Sequence, residues 1–368
     1  MYSKKEYLKH SLLLVLTLIT TTLAGAEWVY GRFILSSENP LTWEYFFLSL
    51  QYSIPFVGIL LVHELGHLFT SIYHKVKSTL PFFLPAWFAT LLPSIGTFGA
   101  VIQIKGFIDT RKKFFDIGVA GPLAGFVVAF FVLWYGFSHL PETSYIYEIH
   151  PEYADPNYKA GDNPQAMDLQ LGYNLLFWGM EYLLADETRM PNMSEVIHYP
   201  FLFAGYLSLF FTALNLLPIG QLDGGHVVFG LFPKHHRQIS LVAYILFLFY
   251  AGLGVISPYE ELNYLLLAIP FYIGFIYICF RKANLPTMTK WMISIVLVAS
   301  QYALVGIYPS VQGYSGWLFF AFLVGRFLGI EHPNVADGRP LNAQRKILGW
   351  IAILLFILCF TPQPFIIE

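Results

Sequence analysis

Within a long apolar stretch the chain reads Leu60-Leu61-Val62-His63-Glu64-Leu65-Gly66-His67-Leu68-Phe69. Two histidines four residues apart share one face of a helix, so their imidazoles can converge on a single metal ion at about 2.0–2.1 Å each. Zinc suits such a pair. Glu64 then sits beside the metal, placed to take a proton from an attacking water and pass it to a leaving amine. In a soluble protein this short pattern often arises by chance. In a membrane span the argument is stronger, because an ionised group near the bilayer centre costs about 2.5–3.5 kcal/mol on insertion scales. Three ionisable side chains this close together need a compensating interaction.

Two histidines leave zinc short of protein ligands, so a third must come from a His or a carboxylate at similar depth. Asp223 meets that requirement in Asn215-Leu216-Leu217-Pro218-Ile219-Gly220-Gln221-Leu222-Asp223-Gly224-Gly225-His226. Pro218 and the glycines break a helix there, and irregular backbone at membrane depth is tolerated only where protein or a water-filled cavity surrounds it. Depth agrees with the pairing. Counted from Glu44, His63 lies about 28 Å along a helix, and counted from Tyr199, Asn215 lies about 24 Å along one running the same way. A helix cap is the competing role for Asp223. The two cysteines, Cys279 and Cys359, lie inside apolar runs and offer no thiolate set, which leaves His and carboxylate to hold a metal.

The elements that must position these residues follow from composition. Of 368 residues, 56% are hydrophobic and 12% charged, whereas an ordinary soluble domain carries about a quarter charged residues. The chain is therefore expected to be an all-α polytopic membrane protein. A net charge of -2 without a concentrated basic face excludes nucleic acid as a partner. Apolar runs near 11–30, 43–73, 114–137, 199–217, 238–257, 261–280, 290–308, 316–330 and 347–363 predict about nine transmembrane helices. Lys4, Lys5 and Lys9 precede the first run and Ala24-Gly25-Ala26 resembles a cleavage site, but apolar character continues from Trp28 to Leu35, so a retained helix is expected.

With a cytosolic N-terminus and nine alternating crossings, 18 of the 21 Lys and Arg fall on the cytosolic side, leaving Arg32, Lys159 and Arg189 outside. The outer segment 138–198 carries ten acidic and two basic residues and reads as a solvated loop. Its apolar stretch from Leu171 to Ala185 suits a helix lying in the interface. The expected organisation is an N-terminal transmembrane anchor and outer loop over 1–42, an intramembrane core over 43–232 that includes the acidic loop, and C-terminal transmembrane helices over 233–368.

His63-Glu64-x-x-His67 in one span and Asn215-x-x-Pro218-x-x-x-Leu222-Asp223-Gly224 in a later one together resemble the site-2 protease family of intramembrane zinc metalloproteases. The resemblance implies Zn2+ held by His63, His67 and Asp223, with Glu64 as general acid and base and Asn215 holding the substrate or its developing oxyanion. Family members hydrolyse a peptide bond in a transmembrane helix of another protein, commonly after a first cut has shortened it. Gly96-Thr97-Phe98-Gly99-Ala100-Val101-Ile102-Gln103-Ile104-Lys105 looks like the family's membrane-associated β-hairpin after the H-E-x-x-H helix, in the wording of the bacterial and chloroplast-type branch. A glycine turn followed by alternation can present an unpaired strand edge to an unwound substrate. Gly96, Thr97, Phe98 and Gly99 are therefore candidate substrate-binding residues, with a hairpin that covers the site as the alternative.

Ala120-Gly121-Pro122-Leu123-Ala124-Gly125 resembles the small-residue helix that follows, for which close helix packing is expected. The resemblance covers roughly 43–232, with a weaker echo from His332-Pro333 to Pro340-Leu341. Many bacterial members carry a PDZ domain, and the outer segment has neither the length nor the regular strands for one. His226, three residues after Asp223, suits either orientation of a ligand or packing. Lys234-His235-His236-Arg237 suits interfacial anchoring.

The sequence thus points to an intramembrane zinc endopeptidase in a cell inner membrane, with its active site near the cytosolic face and a transmembrane protein as substrate within the lipid bilayer. A membrane metal transporter or metal sensor using the same His/His/Asp cluster is the rival, although a conduit should repeat its ligands along its length. A membrane zinc protease whose third ligand is a downstream Glu is the other rival.

Overall fold

The computed structural model describes residues 2–89, 91, 94–155, 169–333, 335 and 339–367. Lys159, part of the acidic segment, and 334 and 336–338 of the last loop lie outside the described residues. The elements run α1 (Lys4–Tyr30), α2 (Trp43–Leu48), α3 (Leu50–Tyr73), β1 (Phe82–Ala86), β2 (Gly96–Val101), α4 (Arg111–Ser138) and α5 (Tyr145–Ile149). They continue with β3 (Leu169–Leu171), α6 (Leu175–Leu184), α7 (Pro200–Leu216), α8 (Asp223–Leu231), α9 (His236–Ala251) and α10 (Leu262–Cys279). The last are α11 (Thr287–Ile307), α12 (Gly316–Leu323), α13 (Ala343–Cys359) and β4 (Phe365–Ile367).

This is an α-helical polytopic membrane protein. Among the described residues five helical stretches are long and apolar enough to cross a bilayer: Lys4–Tyr30, Trp43–Tyr73, Arg111–Ser138, Leu262–Cys279 and Thr287–Ile307. The other four apolar runs are also helical, but α7 and α13 have 17 residues and α9 has 16. A helix of 17 residues rises only about 25 Å, short of the roughly 30 Å of hydrocarbon. Leu266, Leu267 and Phe271 of α10 and Val296 of α11 are exposed, an inversion of soluble packing that apolar solvent explains.

Local chemistry accounts for the boundaries. The Ser3 hydroxyl accepts from the Glu6 N–H at 3.2 Å and the Glu6 carboxylate accepts from the Ser3 N–H at 2.7 Å, a capping box that starts α1. Gly31, with φ of 59°, ends it in the left-handed region. The helix runs unbroken through Ala24-Gly25-Ala26, all buried. β1 and β2 pair antiparallel, Phe82 with Val101, Phe83 with Ala100, Pro85 with Thr97 and Ala86 with Gly96. The register slips between Phe83 and Pro85, where a proline that cannot donate to the ladder is accommodated. β3 pairs antiparallel with β4, Leu169 opposite Ile367.

The chain divides into two compact units. The first contains residues 1–108, 116–215 and 352–368. Its core stacks Tyr52 between Phe56 and Phe203, with ring centroids 5.6 and 5.2 Å away. The polar tips are satisfied: the Tyr52 hydroxyl donates to the Ile95 carbonyl at 3.1 Å and that of Tyr206 to the Pro364 carbonyl at 2.8 Å. The second unit contains residues 109–115 and 216–351. There the buried Tyr244 hydroxyl donates to the Ala321 carbonyl at 2.8 Å, and the Gln301 amide to the Leu248 carbonyl at 3.0 Å.

Candidate metal centre

His63, Glu64 and His67 lie on α3, each only 6% exposed. The four-residue spacing does what the helix period requires: the two Nε2 atoms stand 3.0 Å apart. His67 Nδ1 is 2.7 Å from the Ile117 carbonyl oxygen. A carbonyl only accepts, so Nδ1 carries the hydrogen and Nε2 presents its lone pair to the site. Two nitrogens held tetrahedrally at about 2.0–2.1 Å from a metal lie roughly 3.3 Å apart. The observed spacing therefore needs only a few tenths of an ångström of adjustment.

The small-residue stretch of α4 packs as expected, and what it packs against is the histidine pair. A side chain at Gly121 would overlap the His67 ring, and one at Gly125 would come 3.0 Å from His63 Cβ. From the other side, a side chain at Gly66 would meet the Ala120 carbonyl oxygen at 2.7 Å. These three glycines let the backbones of α3 and α4 approach closely enough for Ile117 to reach His67.

The helix break at Pro218 is also present. α7 stops at Leu216 and α8 starts at Asp223, after Leu222 in an extended conformation with φ of -65° and ψ of 160°. Between them Gly220 has φ of +55°, and its N–H donates to the Ser240 hydroxyl at 2.8 Å, which in turn donates to the Ile330 carbonyl at 2.6 Å. Side chains at Gly224 and Gly225 would overlap the carbonyls of Leu216 and Gly220. Asp223 thus occupies a helix N-terminus, where the dipole favours a carboxylate. One ligand atom from each of His63, His67 and Asp223 lies within 4.8 Å of the others. Two imidazoles and a carboxylate form a donor set that zinc accepts in sites keeping a fourth position open, so these residues fit the ion.

Asn215 is half-buried in the last turn of α7. In the hairpin, Gly96 has φ of +88° and sits against the Thr20–Thr21 backbone, its carbonyl accepting from the Thr20 hydroxyl at 2.7 Å. The buried Thr97 hydroxyl donates to the Leu84 carbonyl at 2.8 Å and accepts from the Gly99 N–H at 2.9 Å. Gly99 has φ of +101°. Three of the four residues therefore build the hairpin, while Phe98 projects outward, 67% exposed. Among the described residues β2 pairs on one edge only.

His226 Nδ1 lies 2.8 Å from His332 Nε2, and His332 Nδ1 donates to the Pro333 carbonyl at 2.7 Å. The Phe229 ring stacks on His332 at 4.0 Å. Burial pushes His332 down to about 3, with the neighbouring His226 and His236 adding to the effect. The echo at His332-Pro333 is thus a contact to the helix that Asp223 opens. Arg237 pairs with Glu331 at 3.0 Å and donates to the Asn284 carbonyl at 2.7 Å.

Sequence reasoning missed a second group of possible ligands, His150, Glu195 and His198, whose ligand atoms also lie within 4.8 Å of one another. The only local signal is the i,i+3 pair Glu195 and His198. His150 is too distant along the chain for any spacing rule to include it.

The profile of peptidase family M50 matches residues 51–256. The chain is similar to a protein of Oryza sativa subsp. japonica named probable zinc metalloprotease EGY1, chloroplastic, with 32% identity over 214 residues, 57% of this chain and 32% of that protein. It is also 32% identical over 190 residues to the Arabidopsis thaliana protein of the same name, covering 51% of this chain and 30% of the relative. A probable zinc metalloprotease EGY2, chloroplastic, of Oryza sativa subsp. indica matches at 25% over 221 residues, 55% and 36% of the respective chains. The chain spans about a third of the length of these curated relatives.

Proposed function

This chain belongs to peptidase family M50, and on that premise we propose that it is an intramembrane zinc endopeptidase that hydrolyses a peptide bond in a transmembrane segment of another protein. His63, His67 and Asp223 hold the zinc. The observation that carries this is the convergence of two buried imidazoles, one fixed by the Ile117 carbonyl, with a carboxylate within 4.8 Å. When bound, zinc supplies Lewis acidity toward a carbonyl oxygen and lowers the pKa of water. Glu64, one residue after His63 and equally buried, takes the proton from the attacking water and delivers it to the leaving nitrogen. The Asn215 amide donates to the developing oxyanion. The open edge of β2 receives the substrate backbone once its helix has unwound, with Phe98 as the outward contact.

The membrane arrangement belongs to the same proposal. The nine apolar runs cross the bilayer, the hairpin lies against it, and the N-terminus and the site are near the cytosolic face of a cell inner membrane. The support is that nine alternating crossings from a cytosolic N-terminus would place 18 of the 21 Lys and Arg on the cytosolic side.

The test is Glu64→Gln in the purified full chain, assayed on a model transmembrane substrate. Cleavage should fall by at least about 100-fold while zinc per chain stays constant. Cleavage at the normal rate would overturn the mechanism. Asp223→Ala should lose zinc, and full retention would transfer the third-ligand role to another carboxylate.

A further inference from the structure

We propose that His150, Glu195 and His198 form a second metal site, taking a divalent transition metal of the zinc class, which clips the chain after α5 to the turn before α7. The two rings meet through Nε2 at 3.1 Å. Glu195 Oε2 lies 3.8 Å from His198 Nε2, and its other oxygen accepts from the Tyr153 hydroxyl at 3.0 Å. Tyr153 in turn stacks on His150, centroids 4.8 Å apart and planes 15° apart. Each member of the set is thereby held in place.

The tautomers argue for a cation between the rings. His198 Nδ1 is 2.7 Å from the Val29 carbonyl, which only accepts, so the hydrogen is on Nδ1 and the Nε2 lone pair points inward. His150 Nδ1 is 3.0 Å from a Glu152 carboxylate oxygen, which as an ionised group also only accepts. In their neutral forms the two Nε2 lone pairs therefore face each other at hydrogen-bond distance. That arrangement is repulsive unless an extra proton or a metal cation lies between them. Two imidazoles and a carboxylate, with roughly 3.3 Å between donors bound to one ion, match zinc, and cobalt(II) accepts the same set. The rival is an imidazolium at His150 donating to His198.

This inference does not rest on the catalytic reading. The full chain in detergent is stripped with chelator, dialysed against zinc, and its metal counted by mass spectrometry. The wild type should hold two equivalents and the His63→Ala/His67→Ala chain one. Adding His150→Ala should remove the last. Glu195→Gln, which keeps an oxygen for Tyr153, should weaken zinc in that background by at least about tenfold and diminish the visible absorption of its cobalt(II) form. No zinc in the His63→Ala/His67→Ala chain, or one equivalent indifferent to both His150→Ala and Glu195→Gln, would overturn the proposal. If instead the α3 site alone fails, the wild type would hold one equivalent that His63→Ala leaves and His150→Ala removes.

Discussion

His63 with His67 and His150 with His198 place their Nε2 atoms 3.0 and 3.1 Å apart, and in each pair one ring donates to a backbone carbonyl, Ile117 or Val29, at 2.7 Å. The final geometries are close, yet they arise differently. The first pair is delivered by one helix, whose period puts residues four apart on one face. The second joins residues 48 positions apart, so it exists only after α5 and the turn before α7 have come together. Their surroundings differ in the same sense. Glycines of α4 hollow out room for the first pair, whereas a stacked tyrosine and two glutamates frame the second. Local spacing produces a site that tolerates little distortion of one helix contact, and a long-range site depends on the segment it closes.

The comparison breaks most decisively at the ligands. His67→Ala should reduce cleavage of a transmembrane substrate by more than about 100-fold and remove one zinc. His150→Ala should also remove one zinc but be read in thermal unfolding of the His63→Ala/His67→Ala chain, as loss of the stabilisation that added zinc gives that chain. Zinc-dependent stabilisation surviving His150→Ala in that background would erase the contrast between a reaction centre and a clip. Next in size is Asn215→Ala, expected to lower kcat by about 100- to 1,000-fold with a smaller change in KM. A change confined to KM would assign Asn215 to ground-state binding alone.

Gly121→Ala sharpens the packing half of the contrast. Its methyl group would push against the His67 ring, and zinc affinity at the α3 site should fall about 10- to 100-fold. Gly125→Ala should cost less, because the added carbon meets His63 Cβ at 3.0 Å rather than overlapping a ligand nitrogen. Equal affinities for both variants and the wild type, measured by zinc titration, would show that α4 can retreat freely. The smallest effect belongs to Gly179 in α6, which has open space where its side chain would be. Gly179→Ala should raise stability by about 0.5–1 kcal/mol in a reversible unfolding measurement, with zinc content unchanged.

Much of the helical layout was legible because apolar runs report directly on membrane burial. All nine runs are helical, and the break at Pro218 falls between α7 and α8. Length was less legible: α7 and α9 stop at 17 and 16 residues, short of the apolar runs at 199–217 and 238–257, while α13 matches its run in length but begins four residues earlier, at Ala343. In the hairpin the sequence drew attention to four residues together, but their roles separate once packed. Gly96 and Gly99 carry positive φ, Thr97 spends its hydroxyl inside the hairpin, and Phe98 alone is presented outward. The weak signal at His332 acquired meaning only from its 2.8 Å contact to His226.

By itself the sequence determined that this chain is membrane-embedded, that His63, Glu64 and His67 share one helical turn, and that Asp223 follows a broken helix. Those properties are encoded in neighbours along the chain, where hydrophobicity, helical period and proline act over a few residues. Only the tertiary structure decided which tautomer His67 adopts, why Gly121 and Gly125 must be small, and that His150 meets Glu195 and His198. Each of these depends on groups distant in sequence arriving within a few ångströms, and no local spacing rule encodes that distance.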